Sequence, residues 1–99
     1  GFAALRDSAA SAVEKTLDEA KSKIGVLKEK AASASAEAKP AMESAIKGIE
    51  DQFAKVQAKL PELKAATSET WKSISENLTK EGGTLMEMIM GAMEKYGVK

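Results

Sequence analysis

Val13, Leu17, Ala20, Ile24, Leu27, Ala31, Ala34 and Ala38 are separated by alternating steps of four and three residues. That rhythm keeps all eight on one stripe of an α-helix, roughly 100° wide. A β-strand, whose side chains alternate between two faces, would scatter them. The chain is therefore bound to build amphipathic helices and to bury their seams against one another. Glu14, Lys15, Asp18, Glu19, Lys23, Lys28, Glu29 and Lys30 occupy the other faces, and Glu19 precedes Lys23 in the favourable four-residue order. Beyond Leu27 only alanines fill the seam. The stretch AASASAEA (31–38) is then free to fray or to form a loop.

Lys39-Pro40 is the first break, because proline suits the first helical position and disfavours helix in the residue before it. A second seam with larger side chains follows: Met42, Ile46, Ile49, Phe53, Val56, Leu60 and Leu63. It continues through Thr67 to Trp71, Ile74 and Leu78. Phe53 and Trp71 fall on the seam and are expected to pack in the core. Pro61 lies inside the pattern, where it removes a backbone donor and crowds the carbonyl four residues back. It implies either a kink or two helices joined at that point. The prolines are 21 residues apart, and proline-punctuated amphipathic segments near that length also occur in exchangeable apolipoproteins. A single interval defines no family, and the similarity enters only through the lipid-surface alternative below.

Gly82-Gly83 reads as the next boundary, since glycine commonly stands just past a helix C-terminus. Thr84 and Glu87 have the spacing of a capping box, which would start a new helix at Thr84. The expected elements are helices over roughly 3–38, 41–60, 62–81 and 84–96. The expected fold is all-α, a single domain over 1–99: an amphipathic helical hairpin or a small three- or four-helix bundle with coiled-coil-like seams.

Four of the five methionines, Met86, Met88, Met90 and Met93, lie in the last segment. On a helical wheel Leu85, Met86, Ile89, Met90, Met93 and Tyr96 share one apolar arc of roughly 160°. Met88 sits at its margin. One neighbouring helix does not need that much apolar surface. Methionine adapts to irregular gaps and to varied partners. The arc reads as core filler, as a docking face, as a face for a lipid surface or, least favoured without Cys or His, as thioether ligands for a soft metal; those six residues are the expected partner-binding set.

Composition removes several classes of function. The chain carries 15 basic and 15 acidic residues, so it lacks the net positive face of a nucleic-acid binder. Without histidine or cysteine it cannot form His- or Cys-based nucleophilic sites or the common zinc sites. No phosphate loop accompanies Gly82-Gly83, no cofactor or metal is implied, and no enzyme activity is expected. No run of 18 apolar residues exists to span a bilayer. No secretory leader is visible, and Leu5 and Arg6 occupy the region where an N-myristoylation signal needs Ser or Thr. Leu, Ile, Val and Phe make up only 18 of 99 residues. Such a thin core is marginal alone, so a protein partner, a second copy or a lipid surface is expected. The leading expectation is a non-enzymatic module that binds another protein or itself. The alternative is an amphipathic, apolipoprotein-like lipid-surface binder. Narrow seams favour the first, because lipid-surface helices carry wider faces flanked by Lys or Arg.

Overall fold

The computed structural model describes residues 1–98 and contains three helices: α1 (Phe2–Ala32), α2 (Lys39–Lys64) and α3 (Trp71–Lys95). They run up, down and up as an elongated bundle of 53 × 19 × 16 Å, each packed against both others. The hairpin and four-helix arrangements are not adopted. The core follows the seams: Val13, Leu17, Ala20, Ile24, Leu27 and Ala31 from α1, and Met42, Ile46, Ile49, Val56, Leu60 and Leu63 from α2. From α3 come Leu78, Leu85, Ile89 and Ala92, while Phe53, Trp71 and Ile74 pack partly buried at the core's edge.

The helix ends differ from expectation for physical reasons. α1 stops at Ala32 rather than Ala38, where the alanine seam offers too little burial to hold a further turn. The Ser33 hydroxyl donates to the carbonyls of Glu29 and Lys30 and closes the last turn. The Ser35 hydroxyl then accepts the Ala38 N–H at 3.2 Å, just ahead of α2, which carries Pro40 in its first turn.

Pro61 does not divide α2, which continues to Lys64. The proline sits in the last turn, so the bond it forfeits to the Gln57 carbonyl is one near the helix end and only three helical residues follow it. Continuing the helix also buries Leu63 completely. The true break is residues 65–70, which hold no large apolar side chain. There the Thr70 hydroxyl accepts the Thr67 N–H, and the Trp71 N–H donates to the Thr67 carbonyl. Thr67, placed on the seam by spacing alone, is exposed in this turn.

The expected break at Gly82-Gly83 is also absent: α3 runs straight through it. Thr84 is no cap, since its hydroxyl donates to the Lys80 carbonyl one turn back at 3.2 Å. Two mid-helix glycines cost about 1 kcal/mol each relative to alanine. An unbroken helix places Leu78, Leu85 and Ile89 on one line, all three fully buried. Each contributes about 1.5–3 kcal/mol, so burial outweighs the glycines.

Candidate functional site

The predicted partner-binding residues separate into three groups. Leu85 and Ile89 are fully buried and belong to the core, so they cannot meet a partner while the bundle is intact. Met86, Met93 and Tyr96 are half-buried. Met90 alone of the six is exposed, at 55%. The wide arc of α3 has a structural cause. A helix in a three-helix bundle faces two neighbours, and α3 divides its apolar surface between α1, α2 and solvent.

Met86 lines a shallow groove of about 270 Å³ between α1 and α3, together with Ala12, Val13, Thr16, Leu78, Thr79, Gly82 and Gly83. No charged side chain lines it. Its floor is built from small residues, and α1 and α3 approach closely there. A Cβ added at Gly82 would stand 3.6 Å from the Thr16 methyl. Helical geometry carries the groove's two lips along the rod. On α1 the outward positions are Leu5, Ala12, Lys15, Glu19, Lys23, Val26 and Lys30. On α3 they are Lys72, Glu76, Thr79, Gly83, Met86, Glu87, Met90 and Glu94. Three of the five large exposed apolar residues, Leu5 (59%), Val26 (41%) and Met90, fall on this side.

Tyr96 and Met88 belong to the opposite groove, between α2 and α3, where Ser44, Ala45, Gly48, Ala92 and Lys95 join them. The Met88 methyl lies against Gly48, and the Lys95 ammonium stands 5.6 Å from the Tyr96 ring centre. The structure therefore does not bring all six predicted residues onto one surface. Leu5 and Ala12 read from spacing as a backward extension of the α1 seam in a slightly shifted phase, not as part of the docking set. Thr16 and Val26 carry no sequence signal of their own.

Polar cross-links are distributed unevenly. Glu14–Lys64 and Lys28–Glu50 join α1 to α2. The α2–α3 seam is closed by Lys55–Glu81, by Lys59 to the Asn77 side chain, and by Gln52. The Gln52 amide donates to both the Glu81 carbonyl (2.9 Å) and its carboxylate (2.8 Å). That hydrogen bond holds the Glu81 carboxyl below its ordinary value. Partial desolvation opposes it, and the charges of Lys55, Lys59 and Lys80 assist it. Among the described residues, no side-chain hydrogen bond or ion pair crosses from α1 to α3. The Arg6 guanidinium comes nearest, donating to the Ala66 carbonyl in the turn before α3.

Asn77-Leu78-Thr79 has the glycosylation spacing but lies within α3, with Leu78 fully buried and Asn77 held by Lys59. No cluster of three His, Cys, Asp or Glu suited to a metal occurs among the described residues. No described helix is long and apolar enough to cross a membrane. The described residues thus form a small three-helix bundle whose α1/α3 groove is uncharged and edged by Met86. Compared with known protein families, curated proteins and solved structures, the chain matches none.

Proposed function

We propose that the chain is a non-enzymatic interaction module that binds a protein surface along the α1/α3 groove. One observation carries this reading: the α1/α3 groove is lined without charge, no polar side chain closes that seam among the described residues, and exposed apolar residues continue along its lips. Small residues on its floor allow close approach, and Met86, Met90 and Met93 supply an adaptable edge. An amphipathic helix laid in such a groove is a common mode of protein recognition. Leu85 and Ile89 support the surface from beneath rather than touching the partner.

A photo-crosslinking residue placed at Met90, with a second variant carrying it at Ala54 on exposed α2, tests the reading. Adducts to protein at 90 and none at 54 are expected. Equal labelling, or no protein adduct at 90, would remove the groove from the account. The missing polar links between α1 and α3 also favour a second reading, in which the bundle opens at that seam and lays its apolar stripes on lipid. Vesicle flotation with circular dichroism separates the two. Protein that stays in solution, already helical, supports the groove; co-flotation with a gain in helix supports the lipid reading.

A further inference from the structure

The groove's two lips carry opposite charge. On α1 the outward positions hold Lys15, Lys23 and Lys30 against Glu19; on α3 they hold Glu76, Glu87 and Glu94 against Lys72. These two helices run parallel and are in register where Thr16 meets Gly82. Each residue advances a helix by about 1.5 Å. Lys30 is therefore level with Tyr96, and Lys23 with Ile89. Lys30 stands about 3 Å along the axis from Glu94 on the other lip, and Lys23, which also pairs with Glu19 on its own helix at 3.8 Å, stands as far from Glu87. By the same count Val26 is level with Ala92 and stands about 3 Å along the axis from Met90.

We propose that this face pairs with a second copy of this chain about a two-fold axis running parallel to the helices. The proposal rests on the groove being the docking surface and names its occupant. That axis lays α1 of one copy on α3 of the other. Each basic lip then meets an acidic lip, and Val26 meets the partner copy's Met90 between the charged pairs. A two-fold axis perpendicular to the helices would instead set α1 on α1 and α3 on α3, opposing like charges. Because a two-fold interface is self-complementary, every favourable pair occurs twice. The face is large enough. The rod's 53 × 19 Å side offers about 1,000 Å², and a stable interface needs about 800 Å² per partner. The chain also exposes 6204 Å², where a monomer of its mass exposes about 5,400 Å².

Sedimentation equilibrium of the full chain at low and high salt tests the pairing. A species of twice the 10.4 kDa chain mass is expected at low salt, weakened as salt screens the charged lips. Lys30→Glu and Glu94→Lys should each raise the dimer dissociation constant about tenfold or more, and the two together should recover most of the loss. Lys23→Glu with Glu87→Lys provides a second, independent cycle, with helicity checked for every variant. A chain that stays monomeric near millimolar concentration overturns the second copy as occupant. The crosslink at 90 then still decides whether the groove binds another protein. A dimer indifferent to the single reversals, or one that the double variants fail to restore, overturns the parallel two-fold arrangement.

Discussion

The α1/α3 seam and the two seams of α2 use the same apolar side chains and end differently. Around α2, ion pairs and the Gln52–Glu81 bonds bridge the helices at several heights. Such exposed pairs contribute only about 0–1 kcal/mol each. Their effect lies less in energy than in covering the seam and fixing its register. The α1/α3 seam is held by apolar and small-residue packing alone, and its lips are left open. The difference teaches that a bundle can spread its core evenly over three helices and still leave one face unfinished. That face is where a partner gains most by binding.

Substitutions of equal size should separate these regions. The largest effect is expected beneath the open seam. Leu85→Ala should destabilise the fold by about 2–5 kcal/mol in urea unfolding, whereas Met90→Ala should stay within about 0.5 kcal/mol. A comparable loss at both would mean that Met90 is core. Next comes the closed seam. Gln52→Ala should cost about 0.5–1.5 kcal/mol and release the Glu81 carboxyl upward toward its ordinary value, followed by carboxyl NMR. The sign follows from a lowered folded-state value. Glu81 contributes stability above its ordinary, unfolded value, and that contribution is lost as pH falls through its lower folded value. The variant should lose this acid-side dependence, while Thr16→Ala, across the open seam, should leave it intact.

Smaller and opposite in sign is the effect of filling the open groove. At Gly83 a Cβ meets nothing within 4 Å, and at Gly82 only an ordinary contact with Thr16. Gly83→Ala should therefore stabilise the bundle by up to about 1 kcal/mol through helix propensity. Gly82→Ala should give slightly less. Loss of stability at Gly83 would show that the position needs glycine for a reason the packing does not supply. For association, Met90→Glu should weaken binding more than Met88→Glu, because Met88 lies in the α2/α3 groove. Equal effects would erase the distinction between the two faces.

The seams of α1 and α2 were legible because their four-three rhythm is uniform and their large residues are core, with Phe53 at its edge. The ends were less so. Gly82-Gly83 and Thr84-x-x-Glu87 carry strong local signals for a break, yet the burial of Leu85 and Ile89 on the line of Leu78 overrides them. The turn at residues 65–70 has the opposite character. It lacks a strong local breaker, and it forms because nothing there repays burial. The candidate site was legible only as an apolar arc. Spacing placed Met86, Met90 and Met93 correctly beside one another. It could not divide the arc between two neighbouring helices and solvent, so Leu85, Ile89 and Tyr96 read as one docking set with the methionines. Val26 carries no sequence signal because its relation to α3 exists only after the bundle closes.

The five methionine methyls are native probes of this division. Met42 is buried in the core, Met88 faces α2, Met86 lines the α1/α3 groove, and helical spacing puts Met90 and Met93 on the same side of α3. Methyl NMR of the full chain, recorded from dilute to near-millimolar protein, is the most direct test. Concentration-dependent shifts or broadening should appear at Met90 first, then at Met86 and Met93, with Met42 and Met88 silent. Movement at Met88 while Met90 stays fixed, or no movement at any of the three, would contradict self-docking on the α1/α3 groove.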